Sequence, residues 1–205
     1  MLNPAEPMIG LAARSFDEAF EQSMKEDGGR EELDRDLPGF VDALRKAVLD
    51  VTLADLRADL PTVHQRYALL LTDRFSADET GELLNFYRSP TGAKVIAAKF
   101  ANIDIAKLVA QYNENPEAAV SADDITKANE DAVPSIWKGL SAEDIGALLT
   151  FSLRPVARKL QVVAPAMAAI EADIANEPDP KLDAEIEAAT QQVYKQFGLE
   201  EAIEE

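Results

Sequence analysis

Apolar residues in this chain recur at spacings of three and four, and sustained alternation of β-branched residues is nearly absent. Such spacing puts the apolar side chains on one stripe of an α-helix, whereas a half-buried strand needs a period of two. The chain is therefore expected to be all-α, a multi-helix bundle. Ile9, Ala13, Phe16, Phe20 and Met24 trace a first stripe, on a helix that opens near Pro7 and stops at Gly28-Gly29. A second helix, starting at Glu31 or Pro38 and running to Ala58, carries Leu37, Val41, Leu44, Val48 and Val51 inward. Pro61 is then expected to open a third, with Val63, Tyr67 and Leu70 on its stripe and an end near Arg74.

Local signals delimit the rest. Ser76-Ala77-Asp78-Glu79 has the form of a capping box, so a helix begins at Ala77. It ends near Arg88, because Pro90 disfavours helical geometry at Ser89 and can itself occupy the first turn of a following helix, here taken to about Tyr112. A break is expected from Asn113 to Pro116, a new start at Ser121-Ala122-Asp123-Asp124, and an interruption at Pro134 before Trp137. The last helices cover roughly Pro155 to Ala175 and Pro180 to Phe197, the second closed by Gly198.

Composition narrows the function classes. A chain of 205 residues can bury roughly 70% of its unfolded surface without staples, and residues 1–205 are read as one helical domain. Thirty-eight acidic against 20 basic residues give a net charge of −18, which repels phosphate backbones and anionic headgroups. Nucleic acid is therefore not an expected partner. No segment has the roughly 20 consecutive apolar residues of a membrane span, so no integral membrane span is expected. Met1 to Pro7 lacks both a basic start and an apolar stretch, and no secretory signal is read there. With no cysteine and one histidine, His64, the chain has no set of nitrogen and sulfur ligands for zinc, and neither a metal nor a cofactor is expected.

Compared with itself, the sequence realigns without a gap: Phe75 to Val95 falls on Leu140 to Leu160 at a shift of 65 residues. Ser76, Ala77, Gly81, Leu83, Leu84, Phe86, Pro90 and Lys94 meet Ser141, Ala142, Gly146, Leu148, Leu149, Phe151, Pro155 and Lys159. Each copy reads as a capped helix, a proline break and a second helix, giving a duplicated unit over about residues 75–112 and 140–175. Phe86 and Phe151 are expected at equivalent buried positions.

Phe86-Tyr87, Ser89-Pro90 and Gly92, after an acidic capped helix, resemble the signature of the bacterial domain of unknown function 2059. The resemblance covers Val63 to Phe100 and extends weakly to the second copy, where Ser152, Leu153, Arg154 and Ala157 replace Tyr87, Arg88, Ser89 and Gly92. It implies an exported, all-helical bacterial protein, periplasmic or secreted. It brings no catalytic residue with it.

The remaining candidates for chemistry are weighed by residue type. Asp34 with Asp36, Asp78 with Glu79, and Asp123 with Asp124 offer oxygen ligands or a carboxylate pair. For Asp78, Glu79, Asp123, Asp124, Glu143 and Asp144, a place in a first helical turn accounts for the same residues. His64 has no second histidine or cysteine to work with and is read as structural. Tyr87, Arg88 and Ser89 form the best recognition surface, because a turn between helices presents them beside the free amides of the next helix. The competing account makes Phe86 core, Ser89-Pro90 a helix boundary and Gly92 a close contact. No catalytic residue is assigned. The leading function is a non-catalytic binding or interaction module for a protein, a peptide or a small apolar ligand in a groove between helix pairs. A carboxylate-based hydrolase or metal-dependent enzyme is one alternative, and a structural or oligomeric component of the envelope is another, a homo-oligomer being among the candidate partners.

Overall fold

The computed structural model describes residues 5–26, 30–105 and 119–199. Nine helices and no strand occur among the described residues: α1 Ala5–Glu26, α2 Arg30–Asp36, α3 Phe40–Arg74, α4 Ala77–Tyr87, α5 Pro90–Asn102, α6 Ala122–Lys138, α7 Ala142–Ser152, α8 Pro155–Ala175 and α9 Pro180–Gln196. The all-α reading holds. The expected stop at Gly28-Gly29 and the break from Asn113 to Pro116 lie outside the described residues.

Two expectations drawn from proline are corrected. Pro61 sits inside α3 and Pro134 inside α6, and neither interrupts its helix. Pro165 inside α8 behaves alike. All three prolines are solvent-exposed, and so are Arg57, Glu130 and Gln161 four residues earlier, whose carbonyls lose their intrahelical donor. Water can satisfy those carbonyls, so the cost of proline is met on the wet face and the buried stripe continues. The helix from Pro90 is also shorter than expected. It ends at Asn102, and Ile103 turns to extended geometry with φ −70° and ψ 125°. Ile103 and Ile105 thereby reach the apolar cluster around Leu11, Ile96 and Phe100.

Contacts divide the chain into two compact units, where the sequence reading treats residues 1–205 as one domain: unit 1 holds Met1–Leu11 and Leu60–Glu177, unit 2 Ala12–Asp59 and Pro178–Glu205. Unit 2 is built from α2, α9 and parts of α1 and α3 around Phe40, Val41 and Val193. Phe40 meets Tyr194 and Phe197 edge-on, with ring centroids 5.3 and 5.4 Å apart. Leu37-Pro38-Gly39-Phe40 forms a tight turn in which the Phe40 amide donates to the Leu37 carbonyl at 3.1 Å. Gly39 there has φ +83°, a conformation that glycine adopts without a Cβ penalty. Gly198, at φ +73°, closes α9 through bonds from the Gly198 amide to Lys195 and from the Leu199 amide to Tyr194.

Unit 1 carries the two helix pairs that the sequence alignment singles out. Its main core gathers Phe75, Leu83, Phe151, Val156, Ala157 and Val163. Helix α6 lies against both α5 and α8. Its approach is pinned by Asn176, whose amide exchanges two bonds with the Val120 backbone at 2.8 and 2.9 Å.

Candidate functional site

The first helix pair is α4–α5 and the second α7–α8. Ser76 caps α4 with φ −69° and ψ 167°, and Ser141 caps α7 with φ −70° and ψ 163°. In each, the serine hydroxyl accepts from the amide three residues on, Glu79 or Asp144, while that carboxylate accepts from the serine amide. Arg88 and Leu153 end the first helices of the pairs at φ −86° and −78°. Pro90 and Pro155 then open α5 and α8 as first helical residues. Every one of these landmarks is displaced by the same 65 residues.

The pairs pack crosswise: α4 lies on α8 and α5 on α7. Lys159 of α8 donates to both carboxylate oxygens of Glu79 at 2.7 and 2.8 Å. Lys94 of α5 donates to Asp144 at 2.7 Å, and the Thr91 hydroxyl donates to the same carboxylate at 2.8 Å. Between these contacts the Phe86 and Phe151 rings stack with centroids 3.8 Å apart and planes inclined by 2°. Phe151 is buried and Phe86 half-buried.

Beside this seam lies an open groove of about 710 Å³. Helix α4 lines it with Asp78, Gly81, Glu82, Asn85 and Phe86, and the second pair with Ala147, Thr150, Phe151 and Arg154. Four positions recur at the 65-residue shift, but the side chains differ: Glu82 against Ala147, Asn85 against Thr150, Ser89 against Arg154, with only Phe86 and Phe151 alike. Arg154 donates to Glu82 at 2.8 Å and ties the two sides together. The groove thus has an aromatic floor and a polar rim that holds both charge signs and two neutral hydrogen-bonding groups.

The three recognition candidates from the sequence separate here. Ser89 lines the groove. Its hydroxyl is already used twice, accepting from the Gly92 amide at 3.1 Å and donating to the Phe86 carbonyl at 2.6 Å. Tyr87 is half-buried, edge-on to Phe86 and Phe151, and burial pushes its phenol above the ordinary range. Arg88 is exposed at the end of α4. Gly92 makes the close contact expected of it, since a Cβ there would fall 2.1 Å from the Phe86 carbonyl oxygen.

One member of each acidic cluster has a structural partner, Asp34 pairing with Arg30 at 3.6 Å. Lys159 and the Ser76 amide hold Glu79 below the usual carboxylate range. Lys94, Ser141 and Thr91 hold Asp144 far below it, and Ser121 lowers Asp124. His64 lies half-buried on α3. In unit 2, Asp55, Asp59 and Asp179 can each bring one oxygen within 4.8 Å of the others. Two of them are engaged: Lys181 donates to Asp55 at 2.9 Å, and Asp179 caps α9 by accepting from the Lys181 and Leu182 amides. Sequence reasoning expected a groove between helix pairs but missed most of the residues that line it and the crosswise ion pairs. The 65-residue shift was the signal that could have paired Lys94 and Lys159 with the opposite pair's acids.

Residues 62–101 match the family DUF2059, described as an uncharacterized protein conserved in bacteria. The match takes in the end of α3 and nearly all of the first helix pair, and stops before the second. No curated protein and no solved structure matches the chain. No described helix is long and apolar enough to cross a membrane.

Proposed function

We propose that the chain is a non-catalytic helical binding module whose ligand, a peptide or a small apolar molecule, lies in the groove between α4 and α7. The lining of that groove carries the reading. Its volume of about 710 Å³ falls within the roughly 300–1,000 Å³ of ligand clefts, and its aromatic floor gives a ligand apolar contact beneath a polar rim. Phe86 and Phe151 supply apolar contact, Asn85 offers a neutral donor and acceptor, and the Thr150 hydroxyl, which donates to the Gly146 carbonyl at 2.8 Å, can still accept. Glu79, Asp124 and Asp144, which lie outside the groove lining, are held in their charged form by caps or lysines, a structural use of their charge. Ser89 belongs to the groove wall in this reading, and Tyr87 and Arg88 belong to the turn behind it.

A panel of short peptides and small apolar compounds, titrated into isotope-labelled protein, tests the proposal. Binding should shift the amide resonances of Gly81, Asn85, Ala147 and Thr150. Replacing the exposed Asn85 and Thr150 together by Trp should fill the groove and abolish it. Shifts confined to other surfaces, or binding that survives both substitutions, would reject the site. A cell-envelope location, periplasmic or secreted, is part of the proposal and is supported by the family resemblance alone. Recovery of the full-length protein in the cytosol after fractionation would reject that part.

A further inference from the structure

The contacts across the seam between the helix pairs obey a rule stronger than similarity of the two segments. Where Glu79 of the first pair meets Lys159 of the second, Asp144 of the second meets Lys94 of the first. Shifted by 65 residues, Glu79 becomes Asp144 and Lys94 becomes Lys159, so each contact is the other with the copies exchanged. The helices repeat the exchange, because α4 packs on α8 and α5 on α7. Phe86 stacks on Phe151, its own counterpart. In a two-fold interface residue i contacts j and j contacts i, and only a residue on the axis touches its own equivalent. The exceptions obey the same logic. Thr91 bonds Asp144 and Arg154 bonds Glu82, but the exchanged partners would be Val156 with Glu79 and Ser89 with Ala147. Valine has no donor and alanine no acceptor side chain, so reciprocity lapses where the side chains lost the chemistry.

We infer that α4–α5 and α7–α8 are two copies of one unit that pair through a single self-complementary face, and that the partner this face fits is a second copy of the same unit, supplied here by the chain itself. The self-complementarity has a consequence for charge. A first pair meeting the first pair of another chain would also set Glu79 against Lys94 and Lys94 against Glu79, around two Phe86 rings. Covalent linkage favours the internal arrangement, since a tethered partner is present at an effective concentration on the order of mM. This pairing is independent of whether the groove holds a ligand.

Charge reversal in the full chain tests it. In the double variant Asp144→Lys with Lys159→Glu, both internal contacts become like-charged: Lys94 faces a second ammonium at position 144, and Glu79 faces a second carboxylate at position 159. Like-with-like pairing between chains stays complementary in both pairs. The double variant should therefore show a mass about twice that of the unaltered protein in light scattering at ~0.1 mM, reverting on dilution. Adding Glu79→Lys and Lys94→Glu restores opposite charges inside the chain and should restore the original mass. Loss of a helix cap cannot mimic this pattern, because the quadruple variant lacks both reciprocal caps and the double variant only one. If the double variant fails to fold, rescue of its helical circular dichroism by the two added reversals supports the inference. A double variant with unchanged mass and stability, or a quadruple variant no better than the double, overturns it.

Discussion

The two helix pairs share backbone landmarks and differ in how tightly each is closed. In the first, Gly92 lets α5 approach α4 so closely that an added Cβ would fall 2.6 Å from the Tyr87 Cα. In the second, Ala157 stands at the matching position and is itself buried. Ser89 caps α5 through its side chain, whereas Arg154 before α8 makes no side-chain cap. At the end of the first helix of each pair, Tyr87 is half-buried, and Leu153 replaces Arg88 with 70% of its surface exposed. The same helix-proline-helix frame thus accepts a close crossing specified by glycine and a looser one without it. The family match falls on the glycine version.

Burial of the two stacked rings gives the largest contrast. Phe151 is 6% exposed and belongs to the main core, so Phe151→Ala should cost about 3–5 kcal/mol. Phe86 is half-buried at the edge of the groove, and Phe86→Ala should cost roughly half as much. Denaturant titration read through Trp137, the single tryptophan and a residue of unit 1, checks both without mixing in unit 2. Equal losses would mean that the rings are energetically equivalent despite their different exposure.

Glycine supplies the next contrast. Gly92→Ala should destabilise by about 2–3 kcal/mol, because the new methyl meets backbone atoms that have no rotamer to yield. Ala157→Gly should cost only about 1 kcal/mol, from added unfolded-state freedom and one lost buried methyl. The comparison between the pairs fails if the two substitutions cost the same by urea midpoint.

What could be read in the sequence was local. Helix starts at Ala77, Ala122, Pro155 and Pro180 follow from a serine, an aspartate or a proline acting within three residues, and the structure puts them where the sequence does. Pro61 and Pro134 misled because a proline's effect depends on whether the carbonyl four residues back faces water, a tertiary property. The lining of the groove was illegible for a similar reason. Glu82 and Arg154 are 72 residues apart, and Lys94 and Asp144 are 50 apart. A charge pattern states that partners exist without stating which ones meet. Tyr87, Arg88 and Ser89 drew attention as a turn, and of the three only Ser89 borders the groove.

Acid should act on both pairs through their crosswise lysines. Asp144 and Glu79 are held below their ordinary values in the folded chain, chiefly by Lys94 and Lys159. A depressed folded-state value means that the stabilisation is complete above the unfolded value near pH 4 and is lost as pH falls through the folded one. Asp144→Asn should therefore lower stability at pH 7 and converge on the unaltered protein as the pH drops below about 4. Glu79→Gln should behave alike with a smaller gap, because Thr91 gives Asp144 an extra donor that Glu79 lacks. Urea midpoints at several pH values check this, and a gap that stays constant with pH would show that the carboxylates contribute through shape alone.

The smallest expected effect separates the two inter-helix turns. The Ser89 hydroxyl satisfies the Gly92 amide, a backbone donor with no intrahelical partner at the start of α5, where Pro90 itself has none to offer. Ser89→Ala should thus cost about 1 kcal/mol, the usual loss for a serine cap. At the matching position Arg154 gives α8 no side-chain cap, and its contact with Glu82 is an ion pair half open to solvent. Arg154→Ala should then cost between about 0 and 1 kcal/mol, falling toward zero in high salt where such pairs are screened. The Ser89 effect, coming from a neutral hydrogen bond, should persist at the same salt. Thermal midpoints of the two variants at low and high ionic strength distinguish the cases. A salt-insensitive loss at Arg154 equal to that at Ser89 would mean that the second turn is closed as firmly as the first, and that the contrast between the pairs rests on Gly92 alone.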